Sequence, residues 1–169
     1  GNLANDRPDG QGTMTFADKS NYTGEFKAGQ FAGTGTRKYK NGNIYTGTFM
    51  NGGPTGQGSL TLASGDSYTG NFVTGKFNGS GTYKFKNGDS YTGEFKNSKF
   101  VGKGVIVTGG NRCEGEFSNG ELNGKATCKY KGGEEFIGEF KDGDREGKGV
   151  LTSANGTKIE GTWKAGKMQ

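Results

Sequence analysis

Residues 22–35 read YTGEFKAGQFAGTG, which joins the pattern Tyr-x-Gly-x-Phe to a short turn and a Gly-x-Gly pair. The first pattern recurs every 23 residues, beginning at Tyr22, Tyr45, Tyr68 and Tyr91. Weaker copies of the pattern begin at Cys113, Phe136 and Ile159. A fixed period of this length indicates a repeat array, in which each repeat is one supersecondary unit.

Each half of the repeat predicts a β-strand, because apolar and polar residues alternate along it. Pairs such as Asn51-Gly52 lie between the halves and favour the two-residue type I′ turn of a hairpin. The register that follows pairs Phe26 with Phe31, Gly24 with Gly33, Tyr22 with Gly35, Tyr45 with Gly58 and Tyr91 with Gly104. We therefore expect each tyrosine ring to cover the bare backbone of a glycine.

The connections between repeats extend this register. A three-residue loop after Tyr39 is expected to pair Tyr39 with Tyr45. One residue is missing between the fourth and fifth repeats, where a two-residue Gly109-Gly110 turn keeps Ile106 opposite Cys113. In the fifth repeat Cys113 is expected opposite Ala126, with Cys128 diagonal to it on the same face. Two packed thiols are expected there, and a disulfide is the alternative.

The fold expected is all-β: an elongated, twisted single-sheet antiparallel meander of tandem 23-residue β-hairpin repeats, with about fourteen short strands. Residues 8–167 form the array, as a half repeat, six full repeats and a final half repeat. Residues 1–7 are expected to be an N-terminal tail or an expression remnant, because Gly1 stands where Met is usual. The strand at 159–164 is expected to have an unpaired edge, which suggests a fragment of a longer protein or an end covered by another copy.

Composition excludes several functions. The 169 residues contain no histidine, so no Ser-His-Asp triad and no imidazole metal ligand can form. Two cysteines are too few for a structural zinc site. No apolar run approaches the roughly 18 residues of a membrane span. The net charge of +5 is spread along the chain and does not require nucleic acid. We therefore expect no enzymatic activity, no catalytic or metal site, no cofactor and no nucleic-acid partner.

Together, these motifs resemble the MORN repeat family (membrane occupation and recognition nexus), and the resemblance covers roughly residues 8–167. It implies arrays that bind partner proteins, self-associate as scaffolds or lie near membranes. The family often carries histidine just before the first glycine of Gly-x-Gly. This chain instead carries Ala32, Thr55, Asn78, Val101, Asn123 and Glu146 at those positions.

One face of the sheet collects the aromatic residues. The Tyr and first Phe positions of each repeat are expected to pack on each other and on glycine backbone. These structural positions are Tyr22, Phe26, Tyr45, Phe49, Tyr68, Phe72, Tyr91, Phe95, Phe117, Phe136, Phe140 and Trp163. The rest of this face is expected to stay partly exposed and to form a partner groove. The groove residues are Tyr39, Leu60, Leu62, Tyr83, Phe85, Ile106, Phe31, Phe77 and Phe100.

The function expected is that of a non-enzymatic interaction module or scaffold, whose groove takes an extended or helical segment of another protein. A homodimer is the competing arrangement within this class. The alternative function is peripheral binding to acidic phospholipids such as phosphoinositides, through a basic edge. That edge consists of Lys40, Lys84, Lys86, Lys129 and Lys131. We expect a cytoplasmic location, at a membrane or a cytoskeletal structure.

Overall fold

The computed structural model describes the backbone of residues 2–4 and all atoms of residues 7–169. The chain divides into two units, Gly1–Lys86 and Asn87–Gln169. Strands and short turns alternate along both units, and the described residues include no helix.

The first unit is a meander in which each strand pairs antiparallel with the next. Its strands are β1 (Asn2–Ala4), β2 (Arg7–Thr15), β3 (Asn21–Lys27), β4 (Gln30–Lys38), β5 (Ile44–Met50), β6 (Gly53–Thr61), β7 (Ser67–Val73) and β8 (Lys76–Lys84). The predicted tail over residues 1–7 therefore includes β1 and the start of β2, while residues 1, 5 and 6 lie outside the described residues.

The second unit has the same arrangement. Its strands are β9 (Ser90–Lys96), β10 (Lys99–Thr108), β11 (Asn111–Ser118), β12 (Glu121–Lys129), β13 (Glu135–Lys141), β14 (Asp144–Thr152), β15 (Lys158–Lys164) and β16 (Lys167–Met168). The all-β antiparallel meander of hairpin repeats is confirmed. The fourteen predicted strands correspond to β2 through β15. The unpaired edge predicted for β15 is wrong at Trp163 and Lys164, because both pair with β16.

The hairpin turns have the predicted type I′ conformation. Ala28 and Gly29 have φ angles of 50° and 83°, and Asn51 and Gly52 have φ angles of 53° and 82°. Both central residues are therefore left-handed, as this turn requires. The Gly29 amide also donates a 2.9 Å hydrogen bond to the Pro8 carbonyl, so the turn is tied to the strand before its own hairpin.

The predicted pairing is correct next to the turn and wrong beyond it. Phe26 does face Phe31, but a β-bulge in β4 leaves Gly33 and Thr34 without partners in β3. The pairing is thereby shifted by two residues. Gly33 enters the bulge with a φ of 53°, and Glu25 Oε2 accepts a 3.0 Å hydrogen bond from the Thr34 amide. The bulge is thus a stabilised feature rather than a defect.

The same shift corrects every pairing predicted beyond the bulge. The observed partners are Gly24 with Gly35, Tyr22 with Arg37, Tyr45 with Leu60, Tyr91 with Ile106 and Cys113 with Cys128. The expected pairing of Tyr39 with Tyr45 is also wrong, because Arg37 lies opposite Tyr45. The expected pairing of Ile106 with Cys113 across the Gly109-Gly110 turn is confirmed.

Each tyrosine ring nevertheless covers bare backbone, because it reaches diagonally across the hairpin. A Cβ atom on Gly58 would lie 2.6 Å from Cε2 of Tyr45, closer than real Cβ contacts allow. The Tyr45 hydroxyl donates a 2.8 Å hydrogen bond to the Thr48 carbonyl at the bulge. The equivalent bond, from the hydroxyl to the carbonyl three residues later, is made by Tyr22, Tyr68 and Tyr91. The ring and the hydroxyl thus hold the bulge in place together.

The core of each unit is a single layer of aromatic rings, and every structural aromatic position named above is buried. Tyr45 meets Phe49 edge to face at 5.0 Å between ring centroids, and it meets Phe72 of the next repeat at 4.9 Å. Edge-to-face contacts of this kind add to the free energy gained from burial. Each repeat therefore completes the core of its neighbour.

The cysteine pair forms a disulfide, so the expectation of two packed thiols is wrong. The two-residue shift places Cys128 directly opposite Cys113 rather than diagonal to it, with 4.0 Å between their Cα atoms. Gly115 then lies opposite Ala126, whose methyl group occupies space that a tyrosine ring fills in other repeats. The disulfide stands where those repeats carry the tyrosine.

Substituting Tyr45 tests the hydroxyl contact. Tyr45→Phe keeps the ring but leaves the Thr48 carbonyl without its donor, so we expect a loss of about 1–3 kcal/mol in unfolding free energy. Tyr45→Ala should cost about 3–5 kcal/mol. Tyr130→Phe is the control, because the Tyr130 hydroxyl bonds to none of the described residues. Equal urea stability of Tyr45→Phe and the parent chain would show that the hydroxyl is unimportant.

Thr74 offers a test of the turn conformation. It is β-branched but has a φ of 49°, a left-handed angle that asparagine tolerates far better. We expect Thr74→Asn to raise the unfolding free energy by about 1 kcal/mol. The reverse exchange, Asn119→Thr, should lower it by a similar amount, since Asn119 has a φ of 50°. Denaturant titration of both variants measures the two changes, and an unchanged midpoint for both would contradict the turn assignment.

Candidate functional site

In each unit, the predicted groove residues lie half-buried on the face that carries that unit's aromatic core. We call this surface the groove face of each unit. The first unit contributes seven of them, namely Phe31, Tyr39, Leu60, Leu62, Phe77, Tyr83 and Phe85. The second unit contributes Phe100 and Ile106. Each residue belongs to a second strand of a hairpin or to the loop that follows it, so the repeat presents it at a regular position.

Three of the phenylalanines are shared between core and groove. Phe31 stacks on Tyr22 with 3.9 Å between ring centroids, and Phe77 stacks on Tyr68 at the same distance. Phe100 stacks on Tyr91 in the second unit, also at 3.9 Å. One side of each phenylalanine ring is therefore covered by tyrosine, and half-burial leaves part of the ring accessible.

The remaining groove residues of the first unit lie further along the second strands. Leu60 is opposite both Tyr45 and Tyr68, and the ring of Tyr83 lies 4.9 Å from that of Phe85. The Tyr83 hydroxyl donates a 2.8 Å hydrogen bond to Asp66 Oδ2. Burial, reinforced by Asp66, raises the pKa of Tyr83 to about 12. Tyr83 therefore stays a neutral, fixed ring at physiological pH.

Sequence reasoning missed two arginines on this face. The Arg37 guanidinium carbon lies 4.3 Å from the centroid of Phe16 and 5.4 Å from that of Tyr39. The Arg145 guanidinium carbon lies 4.4 Å from the centroid of Phe136. All three distances are typical of cation–π contacts. The available signal was position, because Arg37 precedes Leu60 by one 23-residue period.

An open pocket of about 480 Å³ adjoins Arg37. Its walls are Asp18, Ser20, Arg37, Tyr39, Lys40 and Asn41. Asp18 Oδ1 accepts hydrogen bonds from the amide and the hydroxyl of Ser20, at 2.9 and 2.5 Å. These bonds lower the pKa of Asp18, and the positive charges of Lys40 and Arg37 add to the effect. The pocket therefore combines two cations with one ionised carboxylate.

The five lysines of the predicted basic edge are all exposed. The backbone amide of Lys86 bonds to Asp66 Oδ1 at 2.8 Å, and that of Lys131 bonds to Asn111 Oδ1 at 3.0 Å. The side chains of Asn43 and Asp89 accept similar hydrogen bonds from backbone amides of the next loop. Over residues 7–169 the one ion pair within 4 Å joins Arg112 to Glu114, so these lysine side chains face solvent.

The opposite face is polar. In the first unit it carries hydrogen-bonded hydroxyl pairs, such as Thr13 with Thr23 and Thr36 with Thr46, each at 3.2 Å. In the second unit it has an open depression of about 500 Å³, beside Lys125. None of the described residues forms a helix long or apolar enough to cross a membrane. Across the same residues no cluster of acidic, histidine or cysteine side chains is arranged to hold a metal.

Comparison with known proteins supports the fold and the repeat assignment. No curated protein matches the chain in sequence. Among solved structures it is similar to one described as the SAS-4 (dCPAP) TCP domain in complex with a proline-rich motif of Ana2 (dSTIL) of Drosophila melanogaster. The two share 17% identity and a TM-score of 0.52, over 96% of this chain and 98% of that one.

The family model described as MORN repeat matches eight consecutive segments. They are residues 1–20, 22–44, 45–67, 68–90, 91–109, 113–135, 136–158 and 160–169. The boundaries between most segments coincide with the 23-residue period of the tyrosines. Since these segments span nearly the whole sequence, the chain belongs to the MORN repeat family.

Proposed function

We propose that this chain is a non-enzymatic protein-binding module whose groove face takes an extended segment of a partner protein. The observation that carries the proposal is the presence, in each unit, of half-buried apolar side chains beside a buried aromatic core. Contiguous apolar surface of this kind marks interaction sites. The solved TCP domain, which is similar in fold, is described in complex with a proline-rich motif of another protein.

An aromatic groove suits a proline-rich segment for a physical reason. Such segments adopt the polyproline II conformation before binding, so little conformational entropy is lost when they dock. The groove face offers flat rings, such as Phe77 and Phe85, that are already fixed by neighbouring rings. Rigid aromatic surface of this kind binds proline at a low entropic cost.

Variants in the groove provide the test. A labelled array of proline-rich peptides identifies a binder, whose affinity is then measured by fluorescence polarisation. Leu62→Ser and Phe85→Ser should each weaken that affinity at least about tenfold while leaving the fold intact. Lys125→Ser on the polar face is the matched control and should leave binding unchanged. Tyr91→Ala should instead unfold the second unit, because its ring is fully buried.

Two results would contradict the proposal. One is unchanged affinity of both groove variants for a peptide that the parent chain binds. The other is thermal unfolding of Phe85→Ser as severe as that of Tyr91→Ala, which would make the groove face part of the core. A homodimer that buries the groove face is the competing arrangement. Light scattering distinguishes it, since a partner peptide should then compete with self-association.

The second candidate function is binding to acidic phospholipid through the basic edge, and the observation that favours it is the exposure of all five lysines. A lysine close to an anionic membrane surface contributes about 1 kcal/mol to binding. Flotation with phosphoinositide-containing vesicles tests this function. Lys86→Glu should reduce flotation and leave peptide binding unchanged, whereas Phe85→Ser should do the opposite. Absence of flotation at low salt would exclude the lipid function and leave the peptide function untouched.

A further inference from the structure

We infer that the groove face of the first unit binds a polyproline II segment of which every third residue faces a successive repeat. An aspartate or glutamate of that segment lies at Arg37. This inference rests on the proposed function and adds the chemistry and spacing of the partner. It concerns the positions occupied by Arg37, Leu60 and Tyr83, which are equivalent residues of three consecutive repeats.

The spacing of the repeats matches the period of the ligand. Arg37 lies in β4, Leu60 in β6 and Tyr83 in β8, and each of these strands is two places from the next. Paired strands lie about 4.8 Å apart, so equivalent positions recur about every 9.6 Å across the sheet. A polyproline II helix has three residues per turn and rises about 3.1 Å per residue, which gives about 9.3 Å per turn. Every third residue of such a segment therefore faces a successive repeat.

Arg37 lines the open pocket, and its guanidinium has an unsatisfied donor. Its Nη1 atom is buried without a hydrogen-bond partner among the described residues. The guanidinium is held in place by stacking on Phe16. An unpaired buried donor is unfavourable, and a carboxylate matches the planar fork of arginine better than any other side chain. Asp66, which also lies near this row, already accepts bonds from the Tyr83 hydroxyl and the Lys86 amide.

The charges beside Arg37 favour a carboxylate over a phosphate. The pocket contains the cations Arg37 and Lys40 and the ionised carboxylate of Asp18. Its net charge of +1 suits a ligand group that carries one negative charge. A phosphate carries nearly two charges at neutral pH and would meet repulsion from Asp18.

The expected ligand pattern follows from these contacts. An acidic residue lies at Arg37, an apolar residue three positions away meets Leu60 and Leu62, and another three positions further meets Tyr83 and Phe85. Prolines fill the positions between them and hold the polyproline II conformation. The spacing is the same for either direction of the bound segment, so it is the step of three that defines the partner.

Synthetic peptides test both the charge and the step. The first probe is a ten-residue proline peptide with Asp at its second position and Leu at its fifth and eighth positions. We expect it to bind the intact chain with a Kd below about 1 mM. Replacing Asp by Asn, or shortening the step from three residues to two, should weaken binding at least about tenfold. Replacing Asp by phosphoserine should not strengthen it.

Variants of the protein then show which residue recognises the negative charge of the peptide. Arg37→Gln should bind the Asp and Asn peptides equally, whereas Arg37→Lys should retain part of the preference for Asp. Arg112→Gln is the control in the second unit, where Arg112 pairs with the exposed Glu114, and it should behave as the parent chain does. Thermal melting of the Arg37 variants confirms that the fold is kept.

The negative results distinguish failure of this inference from failure of the proposed function. Equal binding of the Asp and Asn peptides by the parent chain, or no binding of the first probe at about 1 mM, overturns this inference. So does an Asp preference that survives in Arg37→Gln, or a phosphoserine peptide that binds more tightly. If Leu62→Ser still abolishes binding of another proline-rich peptide, the proposed function stands without it.

Discussion

A tyrosine ring lying on bare glycine backbone is the contact on which the rest of each of the first four full repeats depends. Tyr45 covers Gly58, and its hydroxyl satisfies the Thr48 carbonyl that the bulge frees. No other residue than glycine fits beneath the ring, and no phenylalanine can supply the hydroxyl bond. The Gly-x-Gly pair and the tyrosine are therefore two halves of one interaction that spans the hairpin.

The exposed part of the aromatic face is a consequence of this arrangement. Because the core rings form a single layer, the residues outside that layer keep part of their surface accessible. Phe31 and Phe77 have tyrosine against one side only, and Leu62 and Phe85 lie near the ends of their strands. The same geometry that lets a chain poor in aliphatic residues fold thus leaves apolar surface available to a partner.

The sequence predicted the fold well because its period and turn residues are local signals. The sequence could not show the bulge, because the bulge at Gly33 does not change the alternation of side chains along the strand. The error was a shift of two residues, which preserves the face of every side chain. For this reason the apolar faces were predicted correctly although Tyr22 was assigned the wrong partner. The disulfide of Cys113 and Cys128 was missed through the same shift, because two diagonal cysteines became direct neighbours.

The site was less predictable, because it depends on how charged side chains pack. Arg37 occupies an apolar-face position, yet its charge suggests a solvated residue. Its place in the groove follows from three aromatic rings that surround it, two of them in other strands or loops. The period identified the row of residues, and the structure was needed to show which member of the row is unpaired.

Adding a methyl group beneath one tyrosine tests most directly whether the ring rests on glycine backbone. Gly58→Ala places a Cβ within 2.6 Å of the Tyr45 ring, whereas Gly53→Ala, in the same hairpin, meets nothing within 4 Å. Equilibrium unfolding in urea should show a loss of at least about 3 kcal/mol for Gly58→Ala, as expected for severe overpacking, and no loss for Gly53→Ala. Equal stability of the two variants would contradict the account, because the ring would then not rest on the glycine backbone.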